Sequence, residues 1–409
     1  MLNLRKDNPM NRIDLIFSVP NCNLSIFSSS NKHTNVRPSY SILCSVVMLS
    51  LLLPITAFFI PSETNLHLFS KRGKIYHTHS ASHNRPLSSS KALAGLTPQN
   101  LWTLYHLPGI NGGKGQVIAE VIDGGIPTME SDLNAYSQHF GLPACTVANG
   151  CLTIQYQGGQ QIAPGNDPTE GILDVEIMHA VAPQAHILLY ITKPNTTDIA
   201  RGPGDIMQIP GLRAINMSYG FDGNGKEFES IYANNPHHVA LFAASGDNGH
   251  GAISPPSIYP EVIAVGGTVV DGTAESAWNG SGGGLTPIYR EPIYQKTYGI
   301  PNANDQRGNP DIAAVAGTPI AIYDRGQWIT VTGTSEASPI WTGIAALVNK
   351  PITNNLLYKL AKSQPDSFND IVTGTNGICG FVCTAHPGYN YITGLGTPKN
   401  FIANVNALP

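Results

Sequence analysis

The sequence predicts a parallel α/β sheet with helices on both faces. Short apolar runs recur and end in Gly, Ser or Asp, as buried parallel strands do. Helix-period segments lie between them, so strands and helices alternate. A strand-like run, Gln327–Val331, enters a Gly turn from which a helix-like run, Ile340–Val348, emerges. In such sheets, functional residues gather at the carboxyl ends of strands.

The elements follow in order. Residues 1–37 form a polar, mixed N-terminal extension. Residues 38–60 include a charge-free stretch, Ser41 to Ile60, that suits either a signal-peptide core or a single membrane anchor. Residues 61–95 are rich in Ser, His and Asn and read as a linker. The globular part runs from 96 to 409. Within it Gln116–Ile122, Leu152–Tyr156, Ile187–Ile191, Ala214–Met217, Val239–Ala243 and Val262–Val265 read as strands. Met129–Phe140 and Glu170–Val181 read as helices, the second stopping before Pro183. Pro339 fits the first turn of the helix after the Gly turn, where its missing N–H costs nothing.

Only 12% of residues are charged and the net charge is −4. No basic stripe suggests nucleic acid, and a monomer acting on other molecules is expected. Six cysteines occur. Cys145 with Cys151, and Cys379 with Cys383, close two tight loops that fit disulfides in an exported protein. A zinc site would need His or Cys partners at familiar spacing, and none stands out.

Three groups carry chemistry. Glu170 and Asp174 stand four residues apart, one above the other on a helix. Ile177, Met178 and Val181 share their stripe at about 100° per residue, so both acids point where the apolar face points. Asp247 follows an apolar run in Ala244-Ser-Gly-Asp247. Ser335, in Gly333-Thr-Ser-Glu-Ala-Ser-Pro339, stands at a helix N-terminus, near free backbone amides and the positive end of the dipole. That is a good place for a nucleophile whose product is an oxyanion. Taken singly, each has a plain structural reading: an N-terminal acid turn, an Asp turn, an N-cap. Together they make an acyl-transfer set.

The chain resembles the sedolisin family of serine-carboxyl peptidases, which share the subtilisin fold. Glu170-Gly-Ile-Leu-Asp174 is similar to the family's acid helix, and Ile215-Asn-Met-Ser218-Tyr219-Gly220 to its substrate-cleft strand. Ala244–Asp247, Ala264–Thr268, Gly282-Gly283-Gly284 and Gly333–Pro339 follow in family order. The resemblance implies that Ser335 attacks a peptide carbonyl and that Glu170 takes its proton. It implies that Asp174 orients Glu170, and that protonated Asp247 donates to the oxyanion with the Ser335 amide. Carboxylate base and carboxylic-acid donor coexist where pH is low or pKa values are raised. The expectation is an acid peptidase on protein or peptide substrates, secreted or anchored. Trp278–Gly284 is expected to be a flexible cleft wall.

The resemblance also implies one Ca²⁺ site at the Asp370 carboxylate, the carbonyls of Ile371, His386 and Gly388, and the side chain of Asn390. An Asp is usual at the last position, so a weakened site is expected. Residues 61–95 are too short for the family's pro-domain. The rival readings are a subtilisin-type Asp-His-Ser protease, with Asp123 in Val121-Ile-Asp123-Gly, and an inactive anchored binding domain. No His-Gly-Thr-His follows Asp123, which is read as a loop acid. His179, His186 and His250 are expected to be packing or surface residues. Asn195 and Asn279 head glycosylation sequons that count only in a eukaryotic secretory route.

Overall fold

In a computed structural model, residues 74–77 and 95–409 are described in full, with the strand backbones of 16–19, 22–25 and 80–82. The expectations for 38–60 and for most of 1–37 and 61–95 fall outside the described residues. The chain divides into two units, Met1–Leu68 and Phe69–Pro409. In the first, β1 (Ile16–Val19) and β2 (Cys22–Ser25) form an antiparallel hairpin.

The second unit opens with β3 (Ile75–His77) and β4 (Ser80–Ser82), then α1 (Pro98–Leu104), β5 (Val117–Asp123), α2 (Met129–Phe140) and β6 (Leu152–Tyr156). Next come α3 (Pro168–Val181), β7 (His186–Thr192), α4 (Thr196–Ile206), β8 (Leu212–Met217), β9 (Tyr219–Phe221), α5 (Glu229–Ala233), β10 (Ala240–Ala244), β11 (Ile263–Asp271) and β12 (Ala274–Ala277). After β13 (Gly284–Thr286), α6 (Ile293–Tyr298), β14 (Arg307–Asn309) and β15 (Ile312–Val315) follow β16 (Ile320–Asp324), β17 (Gln327–Thr332) and α7 (Thr334–Ala345).

The central sheet has eight strands in the order β12-β11-β10-β8-β5-β7-β6, with β15 also on β11. Every pairing in it is parallel except that of β12 with β11. Alternation along each strand assigns the two faces. Ile118 and Ile122 of β5 and Ala214 of β8 enter a core with Ile172 and Met178 of α3 and Ile340 and Ile344 of α7. Ala119, Val121, Ile215 and Met217 enter a second core with Ile199 and Ile206 of α4. Thus α3 and α7 share one face of the sheet, and α4 covers the other.

α3 is almost wholly buried although it carries Glu170, Asp174 and Glu176, as expected of a helix enclosed by neighbours. It lies directly against α7. Gly343 makes that approach possible: a Cβ there would meet Val181 Cβ at 2.6 Å. α7 begins at Thr334, earlier than the expected start, so Pro339 lies inside the helix. Its ring removes the amide that would have bonded the Ser335 carbonyl, a break the first turns of a buried helix can absorb. Gly333 caps the turn at φ 151°, ψ 161°, a region essentially restricted to glycine.

Both expected disulfides form, Cys145–Cys151 and Cys379–Cys383. Among the described residues no helix is long and apolar enough to cross a membrane.

Candidate active site

Ser335 is the second residue of α7 and is fully buried. Glu170 and Asp174 stand one turn apart on α3, also fully buried. The packing of α3 on α7 therefore brings the acid helix and the serine helix together. Asp247 follows β10, whose carboxyl end leads toward α7. Its Oδ1 accepts from the Thr334 backbone N and from Thr334 Oγ1, each at 2.8 Å. Thr334 Oγ1 in turn accepts from Gly246 N at 3.1 Å. The residue before the serine thus fixes how the third acid is aimed.

A buried polar network joins these elements. Ser218 Oγ donates to Asp174 Oδ1 at 2.8 Å. Asn216 Nδ2 donates to Ser218 Oγ at 2.9 Å and to Glu120 Oε2 at 2.7 Å. Asn216 Oδ1 accepts from Ser338 Oγ of α7 at 2.6 Å. Asn216 therefore joins β5, β8 and α7 through one side chain, and reaches α3 through Ser218. Burial first, and then the charge of Asp174, hold the Glu120 carboxyl well above the usual carboxylate range, partly offset by the Asn216 hydrogen bond. Beside Ser335, Glu336 is likewise held well above that range, by burial and by the charge of Asp247.

The sequence reading missed Glu120 and Asn216. Their signal was there: both sit at even positions of apolar strands, in phase with Ile118, Ile122 and Ala214, whose face carries α3 and α7.

The strand β9 carries Tyr219 and Gly220, and Ser218 immediately precedes it. A segment of the chain itself lies on it. β3 pairs antiparallel with β9, Tyr76 opposite Gly220 and His77 opposite Tyr219. Downstream, β4 pairs with β17, Ser80 opposite Thr332, three residues before Ser335. His77 Nε2 is 3.0 Å from Asp123 Oδ1, and its Nδ1 is 4.0 Å from Glu170 Oε2. Burial opposes the imidazolium, yet the Asp123 hydrogen bond and the charges of Glu170 and Asp123 outweigh it and raise the His77 pKa. Asp123, read from sequence as a loop acid, is instead the buried last residue of β5, facing this cluster.

The glycines read as a flexible wall are buried and bonded internally. Gly282 N donates to Gly246 O at 2.6 Å, and Gly283 O accepts from Gly251 N at 2.8 Å. A Cβ at 282 would meet Ser245 O at 2.3 Å. Gly282, Gly283 and Gly284 thus brace the loop that carries Asp247. Of the histidines, His179 is buried against the Pro143 carbonyl at 3.0 Å, and burial lowers its pKa to about 4. His186 bonds the Gly150 carbonyl, and His250 is exposed.

The C-terminal loop brings together the residues expected at the Ca²⁺ site. Asn390 Oδ1 accepts from Ile392 N, Thr393 N and Thr393 Oγ1, each at 3.1 Å. Its Nδ2 donates to Ile371 O at 3.0 Å. Asp370 Oδ2 accepts from Gly388 N at 2.9 Å. The side chain expected to complete the calcium shell therefore presents a hydrogen-bond donor to one of the expected ligands.

The sequence pattern of the Subtilase family matches residues 158–364, a span that holds all four candidate catalytic residues. Kumamolisin from Bacillus sp. (strain MN-32) is 29% identical over 358 residues, covering 76% of this chain and 63% of its own. Sedolisin from Pseudomonas sp. (strain 101) is 26% identical over 368 residues, covering 76% and 62%. The chain is a sedolisin-type member of the subtilase family. It spans about three-fifths of the length of these two relatives. The solved structure of Pseudomonas sedolisin, a serine-carboxyl proteinase complexed with two molecules of pseudo-iodotyrostatin, shares the fold: TM-score 0.66, 23% identity, 78% of this chain and 98% of that one covered. In this sedolisin-type chain the subtilisin-like sheet is the frame on which α3, β10 and α7 deliver the three acids and the serine.

Proposed function

We propose that the chain is an acid-active serine-type peptidase that works through an acyl-enzyme. Ser335 Oγ attacks the substrate carbonyl carbon while its proton passes to the Glu170 carboxylate. The oxyanion that forms is met by a hydrogen bond from the carboxylic acid of Asp247 and by the Ser335 amide. The C–N bond then breaks, and Glu170 returns the proton to the leaving amine. Water repeats the sequence on the ester, giving its proton to Glu170 and releasing the acid and Ser335. Asp174, held by Ser218, orients Glu170. The two disulfides fit an exported enzyme.

The observation that carries this reading is the strand on β9. Peptidases bind extended peptides by adding a strand to an exposed edge, where backbone hydrogen bonds supply affinity without regard to sequence. Here Ile75–His77 occupies such an edge beside the acids, as a peptide substrate would. One residue divides endopeptidase from tripeptidyl-type cleavage. Asp222 Oδ2 accepts from Lys74 N at 3.1 Å. In a continuous chain it accepts an amide; for a peptide that began there it would hold an α-ammonium.

The test is a mixed peptide library at acidic and neutral pH, with Ser335→Ala and Glu170→Ala as controls and the products read by mass. The expected kcat/KM peaks in acid, and each variant loses at least about a thousandfold, the scale on which such groups act as a unit. A maximum near neutrality, or full activity in Ser335→Ala, would sink the proposal. Uniform three-residue N-terminal products would select the exopeptidase form, and internal cuts the endopeptidase.

A further inference from the structure

We propose that the C-terminal loop of this chain is locked by the amide of Asn390 in the place where a cation would otherwise bind, so that its fold is independent of calcium. The orientation of the amide is decided by its surroundings. Two backbone N–H groups, of Ile392 and Thr393, point at one atom of the side chain, and backbone N–H groups can only donate. That atom must be the oxygen. The nitrogen then faces the Ile371 carbonyl at 3.0 Å and donates to it. Both Asn390 and Ile371 are buried, at 1% exposure each, so water does not compete for the contact.

The same position with a carboxylate would behave differently. One oxygen would still accept from residues 392 and 393. The other would face the Ile371 carbonyl, two acceptors about 3 Å apart with no proton between them. While the carboxyl is ionised such a pair is stable with a cation binding both, and Ca²⁺ takes oxygen ligands at roughly 2.3–2.6 Å. A single atom change, O to NH₂, turns that repulsion into a hydrogen bond and removes one negative ligand. Asp370, the remaining carboxylate of the set, is exposed and accepts from the Gly388 amide, which ties the loop's ends without a metal. Asn390 also bonds Gly394 through both backbone groups, at 3.2 and 2.9 Å. The turn is therefore closed by the protein's own donors and acceptors.

The test is thermal unfolding at about pH 7, where a carboxyl introduced at position 390 ionises, of the full chain carrying Ser335→Ala, which removes self-digestion, in EDTA and in about 10 mM Ca²⁺, above the roughly 10⁻⁴–10⁻³ M range of weak extracellular sites. Terbium luminescence, sensitised by Tyr389 and Tyr391, reports binding directly. The expected Tm is the same in both buffers, and no terbium signal is displaced by calcium. Adding Asn390→Asp should lower Tm in EDTA, restore it by several degrees in calcium as ligand binding to the folded state requires, and create a saturable terbium signal. A calcium-dependent Tm or calcium-displaced terbium in the Asn390 protein overturns the proposal. So does a folded Asn390→Asp protein that responds to neither metal. If Asn390→Asp does not fold in either buffer, the response of the Asn390 protein alone decides.

Discussion

Glu176 offers a measurement of how the fold itself responds to pH, apart from any catalysis. It lies on α3 two residues beyond Asp174, fully buried, with Oε2 accepting from Tyr323 N at 2.9 Å. Burial, and then the charges of Asp132 and Asp324, hold its carboxyl well above the usual range, with the Tyr323 amide partly offsetting them. The sign follows from linkage. A folded-state pKa above the unfolded value of about 4.3 means the folded chain keeps a proton that the unfolded chain has lost. Stability is then fully present below that value and is lost as pH rises toward the folded pKa. The slope is about 1.4 kcal/mol per pH unit for one proton. Gln at this position cannot titrate, keeps an oxygen for the Tyr323 amide and has nearly the same volume. Glu176→Gln should therefore match the parent near about pH 4 and exceed it at higher pH, by roughly 2–4 °C in Tm for each kcal/mol. The assay is thermal unfolding in the Ser335→Ala background across pH. A Tm difference that is independent of pH, or that shrinks as pH rises, would refute the argument.

Two further variants probe the site. Asp123→Ala removes the buried partner of His77 and, on the carboxylate mechanism, leaves kcat/KM for an added peptide within about threefold of the parent, since neither residue takes part in the proposed proton transfers. A loss of a hundredfold or more would instead favour Asp-His-Ser chemistry. Gly343→Val places a side chain where Val181 already lies, 2.6 Å from the new Cβ. Overpacking of that kind costs about 1–3 kcal/mol, and a shift of about 1 Å between α3 and α7 should cut kcat on the order of a hundredfold. KM should change much less, because β9 is not part of the contact. An unaltered kcat in a stably folded variant would show that the helix spacing does not set the chemistry.

The central strands and the acid helix were legible because their signals are local. A run such as Val117–Asp123 is buried and largely apolar, and a helix such as 168–181 has its own proline start. The candidate site was legible for a different reason: its motif residues sit near the ends of those elements, where a parallel sheet gathers them. What escaped depends on partners far away in sequence. Asn216 reads as an ordinary strand residue until the face it points to is known. Gly282–Gly284 reads as flexible until Ser245 and Gly246 are found against it. Asn390 reads as a weakened acid, because nothing local reveals that its amide faces the Ile371 carbonyl. The start of α7 was misplaced since Pro339 suggested a beginning, whereas the early turns tolerate its missing amide.

The buried carboxyls favour the folded chain in acid. The proposed chemistry asks only that Glu170 be ionised while Asp247 is protonated. Glu120, Glu176 and Glu336 take no part in that exchange, yet each is held well above the ordinary carboxylate range chiefly by burial. Each then adds its own loss of stability as pH rises through its window. A neutral-pH enzyme would gain by replacing them with Gln or an apolar residue of like size, since an unpaired buried charge is costly. Glu120 bonds Asn216, and Glu336 adjoins Ser335, so two of the three stand where ionisation would disturb the candidate site directly. A rise in pH would thus loosen the scaffold around Asn216 and Ser335, which sets an upper pH limit on the fold.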